Sequence, residues 1–542
     1  MTTVGVPNQG TTNKRGSSGT RTRQSDVNPH SGMCASCIRT CTVLCEISKS
    51  AFRGKEVLYP EPEEFGASTA SGNKYYGLGW EDFQIMVQVQ GAHGIEADSD
   101  KAIFPNVDVS TKIGGVPMKV PVFTAGLGST AVAKQNWDSI AGGAALSGVV
   151  QVVGENVCGM DPDSTFKEVG GKKQIEHSPD MEFRIRAYRD WWDGKYGDIA
   201  VQTNVEDQRL GVDLYAINKL EVNIIERKWG QGAKAIGGEV RLYSLERARQ
   251  LKSRGYVVIP DPDDPIIEQA FKDGVFKTFE RHSRVGMPEF KGMQEDIAWL
   301  RDNGAKKVFM KTGAYRPIDV AFTFKVASEA KVDHLTFDGA GGGTGMSPVP
   351  MMNEASTPTL YLYAQMLRCA EILKKKGKHV PTLAIAGGIM EETAIFKAIA
   401  MSNLDGKEPL VKAVAMARSP ITAAFKGAYF AELAEEGKLP KPFVKSYGDD
   451  PEKYMVASPK LRDVWGDKYK DIPKGAIGVF SYYHERLGTG LQQLLAGNRK
   501  WKIDLLDRDD VCSLTTLAEE VTGIPMPHRY QAKQMEKILE DM

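Results

Sequence analysis

Between residues 85 and 435, short apolar runs alternate with longer segments in which apolar residues recur at helical spacing. Each run has the length of a buried strand, and an amphipathic helix follows most of them. The predicted strands are Val120–Ala125, Val149–Val153, Ile199–Thr203, Val222–Arg227, Lys307–Thr312, His334–Asp338, Leu383–Ala386 and Ala413–Ala417. The predicted helices are Ala131–Leu146, Leu210–Leu220, Pro317–Ala330, Leu360–Lys376, Glu391–Met401 and Thr422–Glu436. Strands that alternate with helices imply a parallel sheet.

Eight such units favour an α/β fold in which the sheet closes into a (β/α)8 TIM barrel. An open doubly wound sheet is the alternative, and its nucleotide fingerprint should follow the first strand. Only a weak echo of that fingerprint occurs at residues 124–129, while the richest glycine loops follow the sixth and seventh strands. Because barrels commonly bind phosphate after strands seven and eight, we predict the barrel.

Three parts of the chain do not follow the alternation of strand and helix. The connection after the fourth predicted strand, at 230–291, is long, and a loop of that length within a compact domain is usually functional. An amphipathic C-terminal region, with helices predicted at Leu487–Ala496 and Ser513–Val521, should pack on the barrel or form a subunit contact. The predicted domains are a disordered tail at 1–33, a cysteine-rich segment at 34–84, the barrel at 85–440 and a C-terminal extension at 441–542.

Composition narrows the classes of function. The chain has 542 residues, and its 69 Lys and Arg balance 69 Asp and Glu. No net field therefore favours nucleic acid or an anionic membrane as a partner. No apolar run approaches the roughly 18 residues of a membrane span, and the N-terminal stretch lacks the apolar region that a secretory signal would have. We expect a cytoplasmic enzyme that forms a homo-oligomer.

Four of the seven cysteines, Cys34, Cys37, Cys41 and Cys45, lie close together in the sequence. On a helix their thiols would fall within an arc of roughly 80°, but the first and last would be about 16 Å apart. The helix must break, or another segment must share the ligands. An iron–sulfur cluster, with [4Fe-4S] as the expected type, is the leading interpretation, although the spacing departs from that of ferredoxins by a residue. Zinc and buried core thiols remain alternatives.

Two glycine-rich loops follow predicted strands. Asp338 leads into a loop with five glycines among residues 339–345, and the seventh strand ends at Gly387 and Gly388. Glycine lets backbone N–H groups approach a ligand closely, so such loops hold phosphates or flat cofactors. A flexible surface loop is the ordinary alternative.

Charged residues gather at the predicted C-terminal strand ends, which converge on one face of a barrel. Any one of them alone is more often a solvated charge. Paired glycines after strand seven and a guanidinium after strand eight suit the phosphate of FMN, and Lys311 would face a reduced flavin. These residues are Glu155, Lys234, Lys311, Asp338, Arg418 and Ser419. His334 begins a strand away from that face and should be structural, while His177 should be solvated. No triad or zinc-protease pattern occurs, which argues against a hydrolase.

These residues resemble a known family. The run 337–348 resembles the flavin-facing loop of the FMN domain of glutamate synthase, and Gln231-Gly-Ala-Lys234 is similar to its substrate loop. Gly154-Glu155 resembles its Gly-Glu-Gly-Gly turn, with Asn156-Val157 in place of the last two glycines. The matches cover roughly residues 85–435 in the family's order. Within the family, the chain resembles the stand-alone archaeal-type glutamate synthase proteins.

The resemblance implies reductive addition of ammonia to 2-oxoglutarate through 2-iminoglutarate, with hydride from FMN. It implies Glu155, Lys234 and Lys311 as catalytic residues, and Gln231 and Lys234 as ligands of the substrate carboxylates. The implied cofactor-binding residues are Ala125, Gly126, Gln202, Lys311, Asp338, Gly341, Gly342, Gly343, Gly387, Gly388, Arg418 and Ser419.

Two departures from the family matter. The amidotransferase domain with its terminal cysteine is not found, so ammonia should come from solution or from a separate amidotransferase subunit. The family's cysteines after the last strand are also missing, and the N-terminal thiols would replace that cluster. A ferredoxin or a partner flavoprotein subunit is the expected electron donor, because no nicotinamide fingerprint is evident. An N-methylglutamate synthase-like enzyme and a non-catalytic electron-transfer subunit are the alternatives.

Overall fold

A computed structural model describes residues 51–52, 76–230, 236, 239–340, 351 and 355–540 of the chain. Eight parallel strands, numbered here in chain order, close into a barrel in which each pairs with its sequence neighbours and the last with the first. All eight predicted strands, and with them the (β/α)8 barrel, are confirmed with small shifts at the ends. They are β1 Val122–Leu127, β2 Gln151–Val153, β3 Ile199–Thr203, β4 Ile224–Lys228, β5 Lys307–Thr312, β6 His334–Asp338, β7 Thr382–Ala386 and β8 Val411–Met416.

One main helix follows each strand and packs outside the barrel. These helices are α1 Trp137–Leu146, α2 Pro179–Arg189, α3 Val212–Asn218, α4 Phe290–Asp302, α5 Pro317–Glu329, α6 Thr359–Lys375, α7 Glu392–Ala400 and α8 Arg418–Glu435. Shorter helices precede some of them at Ala131–Gln135, Val157–Met160 and Val205–Arg209.

Three predicted helix boundaries were wrong. The first predicted helix divides at Asn136, which is not helical. The second begins at Val212 instead of Leu210, because Gly211, with a φ of +69°, separates it from the short helix before it. The last begins at Arg418 instead of Thr422, because Pro420 is tolerated in the first helical turn, where its missing N–H has no partner to lose.

The interior of the barrel at the N-terminal ends of the strands, called the floor below, is aromatic. His334 is fully buried there, with its ring 5.7 Å from that of Phe123 and 5.0 Å from that of Phe309. Both of its ring nitrogens have partners, at 2.9 Å from Thr382 Oγ1 and 3.2 Å from Thr336 Oγ1. Burial lowers the pKa of His334 to about 3, so the ring is neutral. The structural role predicted for His334 is confirmed.

Accessory elements surround both ends of the barrel. One hairpin lies beneath the floor, and another follows β2. A three-stranded sheet with two helices follows β4. The hairpins are Thr111–Ile113 with Val116–Met118, and Thr165–Val169 with Lys172–His177; 3₁₀ turns occupy Trp80–Asp82 and Phe104–Asn106. The sheet after β4 contains Glu239–Leu242, Val257–Ile259 and Phe279–His282, with helices Leu245–Ser253 and Pro265–Lys272. His177, predicted to be solvated, is half-exposed in the second hairpin.

The C-terminal region packs on the barrel, which is one of the two arrangements predicted for it. Its helix Lys474–Phe480 lies so close to α1 that a Cβ on Gly143 would stand 2.4 Å from Val479 Cβ. Strand Val511–Ser513 pairs antiparallel with the N-terminal strand Phe83–Ile85. The other elements are Lys441–Tyr447, Pro451–Tyr454, Ser458–Trp465, Gly466–Asp471, a π-helix at Ser481–Gly488, Thr489–Gly497, Ile503–Leu505, Arg508–Asp510, Thr516–Thr522 and Ala532–Glu540. The helix predicted at Leu487–Ala496 thus spans two elements, and the one predicted at Ser513–Val521 is shorter.

Within the described residues, no helix combines the length and the apolar character needed to cross a membrane. In the same part of the chain, no group of His, Cys, Asp and Glu is arranged to hold a metal ion. Cys34, Cys37, Cys41 and Cys45 lie outside the described residues, so the iron–sulfur prediction stays a prediction.

Candidate active site at the barrel mouth

Alternation along β4 decides which charged side chains enter the barrel. Successive residues of a strand point to opposite faces, so Arg227 points outward while its two neighbours point inward. Arg227 is buried between the barrel and the helices, where its guanidinium donates to Thr203 Oγ1 and Asp213 Oδ1, each at 2.6 Å. Two further bonds of 2.7 Å reach the Asp296 carboxylate. The neighbours Glu226 and Lys228 therefore belong to the interior.

Glu155, in the turn after β2, forms an ion pair with Lys228. Its side chain is 20% exposed. Burial opposes ionisation of Glu155, but Lys228, with a smaller contribution from Lys311, outweighs it and lowers the pKa of Glu155. The turn is tightly packed, since a Cβ on Gly128 would stand 2.5 Å from Glu155 O. The arrangement holds an ionised carboxylate at the mouth.

The next residue fixes that turn. Asn156 has a φ of +66°, a left-handed conformation that asparagine tolerates better than most residues. Its backbone N–H donates to both carboxylate oxygens of Asp207, at 3.0 and 3.2 Å. Burial, assisted by repulsion from Glu155 and Asp213, raises the pKa of Asp207 to about 7. A buried carboxyl behind the turn therefore positions Glu155.

Lys311 and Asp338 form a second pair on adjacent strands. Lys311 Nζ lies 3.3 Å from Asp338 Oδ2, and the side chains are 8% and 6% exposed. Burial opposes the charge of Lys311, but Asp338, Glu226 and Glu155 outweigh it and raise the pKa of the ammonium. Two carboxyl groups beyond its direct partner thus contribute to the raised pKa of this buried lysine.

Glu226 differs from Glu155 although both face the same interior. It accepts a 2.5 Å hydrogen bond from Gln202 Nε2, and it is almost fully buried. Burial raises the pKa of Glu226, against the opposing effect of Lys311. Neighbouring carboxyl groups whose pKa values move in opposite directions are the arrangement from which enzymes obtain one base and one acid.

Several buried polar atoms near the mouth find no hydrogen-bond partner among the described residues. They include Gln202 Oε1 and, in the turn after β2, Asn156 Oδ1. An unpaired buried acceptor costs free energy unless a ligand or water supplies a donor. Gly126 lies against the Gln202 amide, where a Cβ would approach Oε1 to 2.7 Å. Unpaired acceptors beside a glycine surface and a buried cation fit a flat cofactor that carries hydrogen-bond donors and an electron-rich edge.

The loop after β7, on the other side of the mouth, has the positive φ angles that glycine permits and that were expected for a phosphate-binding loop. Gly387 and Gly388 have φ values of +113° and +82°. Arg418 begins α8 with an exposed side chain, and Ser419 Oγ donates to Met416 Sδ at 3.6 Å. Backbone N–H groups at a helix start, with a nearby guanidinium, suit an anion.

The structure brings together most of the residues predicted for the site. Glu155, Gln202, Lys311 and Asp338 face the interior at the mouth, and Ala125 and Gly126 lie near the C-terminal end of β1. Their functional roles are not tested by this placement and stay predictions. Outside the described residues lie Gln231, Lys234, Gly341, Gly342 and Gly343.

Three residues of the site were not predicted: Glu226, Lys228 and Asp207. Alternation along β4, counted from an outward Arg227, would have placed the first two inside. No sequence signal pointed to Asp207, because its partner Asn156 is 51 residues away.

A separate cavity of about 650 Å³ lies between α6 and the C-terminal region. Its charged groups have partners within the protein: Arg508 donates to the Met401 and Thr522 carbonyls, and Arg368 pairs with Glu371. It lies apart from the strand ends and is not the candidate site.

The fold and the site together define a (β/α)8 barrel protein with a cluster of charged and partly unsatisfied polar side chains at the C-terminal ends of its strands, where barrel enzymes carry their active sites. Residues 283–407 match the family described as the conserved region in glutamate synthase. This match includes β5, β6 and β7 and confirms the resemblance to glutamate synthase for that part of the chain; Glu155, Lys234 and Arg418 lie outside it.

Solved structures resemble the chain more distantly. A double mutant of flavocytochrome b2 with sulfite bound is 14% identical, with a TM-score of 0.43 over 83% of this chain and 81% of that one. An oxidised active mutant of (S)-mandelate dehydrogenase is 14% identical, with a TM-score of 0.42 over 80% and 88%. A refolded lactate oxidase of Pediococcus acidilactici is 15% identical, with a TM-score of 0.39 over 79% and 82%. No curated protein matches the chain significantly.

Proposed function

We propose that the protein is an FMN-dependent oxidoreductase of the glutamate synthase type, which forms glutamate from 2-oxoglutarate and ammonia. The observation that carries the proposal is the combination of Glu155–Lys228 and Lys311–Asp338 at the mouth of a barrel that contains the matched region. The coarser part, a flavin-dependent oxidoreductase, is supported by that match. The particular reaction is the part that needs a direct assay.

The residues at the mouth fit FMN, which supplies two-electron hydride chemistry when bound. Ala125, Gly126 and Gln202 would contact the ring, and the unpaired Gln202 Oε1 would accept a hydrogen bond from it. Lys311 would offset negative charge at the ring's pyrimidine edge. The phosphate end would be held by Gly387, Gly388, Arg418 and Ser419, and Gly341, Gly342 and Gly343 would lie against the ring, as the sequence predicts.

The proposed reaction balances in two steps. Ammonia condenses with the ketone of 2-oxoglutarate to give 2-iminoglutarate and water, and two electrons with two protons then reduce the imine to glutamate. Glu155, held ionised by Lys228, would accept a proton from the incoming ammonium and return it to the imine nitrogen. Gln231 and Lys234 would bind the substrate carboxylates, as the resemblance implies.

Electrons would enter through an iron–sulfur cluster on Cys34, Cys37, Cys41 and Cys45, the proposed replacement for the family's cluster. A ferredoxin or a partner flavoprotein subunit would supply them. Nitrogen would come from free ammonia or from a separate amidotransferase subunit, and the enzyme would act as a homo-oligomer.

The test begins with anaerobically purified protein, whose absorbance spectrum and metal content show whether flavin and iron with acid-labile sulfide are present. Photoreduced protein is then mixed with 2-oxoglutarate and ammonium. We expect the flavin to reoxidise and one glutamate to form for each two electrons, while omission of either substrate prevents both. Reoxidation without glutamate, or no reoxidation, contradicts the proposal. Formation of N-methylglutamate from glutamate and methylamine would instead favour the related enzyme.

A further inference from the structure

The C-terminal region reaches the barrel mouth through the π-helix at Ser481–Gly488. Tyr482 OH donates a 2.6 Å hydrogen bond to the Met390 carbonyl, which belongs to the loop after β7. The same hydroxyl lies 3.7 Å from Met416 Sδ, at the end of β8, and it interacts with the Ser419 side chain. One phenol thus joins the two loops to which the phosphate of the cofactor is assigned.

Two further contacts fix this helix to the mouth. Arg486 Nη1 lies 2.8 Å from Glu392 Oε1, at the first residue of α7. Tyr483, next to Tyr482, turns to the barrel wall, where its hydroxyl lies 2.9 Å from Thr124 Oγ1 of β1. Adjacent tyrosines therefore connect one short helix to the ends of β7 and β8 and to the side of β1.

The local helix type makes this arrangement unusual. π-helical turns are rare, and they occur frequently at functional sites. Burial raises the pKa of Tyr482, so its hydroxyl remains protonated near neutral pH and can donate to the Met390 carbonyl. The protonated phenol can donate a hydrogen bond to this carbonyl, whereas a phenolate could not.

We propose that Tyr482 is a positioning residue that fixes the loops after β7 and β8 in the geometry that binds the flavin phosphate, so that the C-terminal region is part of the cofactor site. The inference rests on the proposed function, because it assigns FMN to the mouth. It adds a requirement from outside the barrel: the barrel strands alone would leave the phosphate loop without this support.

The test compares two flavins on apo-protein. FMN carries the phosphate and riboflavin does not, so a residue that acts on the phosphate loop should affect only FMN. Y482F removes one hydroxyl, and Y469F removes a matched one, the 2.7 Å bond from Tyr469 OH to Glu452 in the same region. Dissociation constants for both flavins would be measured by quenching of flavin fluorescence.

We expect Y482F to weaken FMN binding by about 3- to 10-fold, the effect of one lost hydrogen bond, with unchanged riboflavin binding. Y469F should change neither. Equal losses for the two flavins, or an unchanged FMN constant, would overturn the inference. If the unmodified protein binds neither flavin, the proposed function fails first. Should Y482F not fold, R486Q removes the Glu392 contact and must show the same selective loss.

Discussion

The floor and the mouth of the barrel are lined by the same strands but differ in how their polar groups are satisfied. At the floor, the side chain of His334 is fully buried, and both of its ring nitrogens have partners. At the mouth, Lys311 and Asp338 are paired, yet Gln202 Oε1 has no partner among the described residues. The polar atoms of the floor histidine are satisfied by the protein, whereas the mouth contains a buried acceptor for which the described residues supply no donor. In barrels, the N-terminal face serves stability and the C-terminal face serves function.

The largest effect should come from E155Q at the mouth. It preserves the shape of the side chain but removes the charge that pairs with Lys228, so glutamate formation should fall by about 10²- to 10⁴-fold. FMN content should not change. E168Q, the same substitution on the exposed hairpin after β2, serves as the control in steady-state assays. Undiminished turnover in E155Q would remove this carboxylate from the mechanism.

At the floor, F309A should act on stability instead. Removing a fully buried ring that contacts His334 leaves a cavity, and the free energy of unfolding should fall by about 3–5 kcal/mol. Urea unfolding measures the loss, with F425A, which truncates a partly exposed ring on α8, as the control. FMN affinity of the folded fraction should stay unchanged. If F309A lowered the affinity for FMN but left the free energy of unfolding unchanged, the assignment of stability to the floor and of binding to the mouth would be contradicted.

A smaller effect on the mouth is expected from G126A. The added Cβ would stand 2.7 Å from Gln202 Oε1, so the amide must move from the position in which it could accept a bond from the flavin. Affinity for FMN and for riboflavin should fall together, by about tenfold, because the ring is common to both. G292A, at a position on α4 with nothing within 4 Å, is the control. Unchanged affinity for both flavins would show that the amide does not contact the ring.

The two ends should also respond to pH with opposite signs. The Asp207 carboxyl has a pKa raised to about 7 in the folded protein, so the stability it contributes is present at low pH and is lost as the pH rises through that value. His334, with its pKa lowered to about 3, contributes stability that is present above its unfolded pKa and lost as the pH falls. Between about pH 4 and about pH 7 the two groups oppose each other.

Variants separate these contributions. The free energy of unfolding of D207N, relative to the unmodified protein, should rise with pH across that interval, and that of H334Q should fall. Chemical unfolding at several pH values measures both differences, and the double variant controls for shared effects. Relative stabilities that move in the same direction would show that one of the two assigned pKa shifts has the wrong sign.

Much of the fold could be predicted because it depends on local pattern. Buried strands of a barrel are apolar and short, so runs such as Val149–Val153 were recognisable without tertiary information. Helix boundaries were less predictable, since hydrophobic periodicity does not mark the start of α3 after Gly211 or the early start of α8 at Arg418. Strand ends indicated Glu155, Lys311 and Asp338, because parallel strands present their ends on one face.

The sequence by itself determined the barrel, the order of its strands and the polar residues that end them, since these follow from hydrophobic periodicity and chain order. Only the tertiary structure decided which groups meet there. Lys228 pairs with a residue 73 positions away, and Tyr482 reaches a loop 92 positions away. The pKa values of Glu155 and Glu226 diverge for the same reason: burial and neighbouring charge depend on distances in space, which the order of residues does not contain.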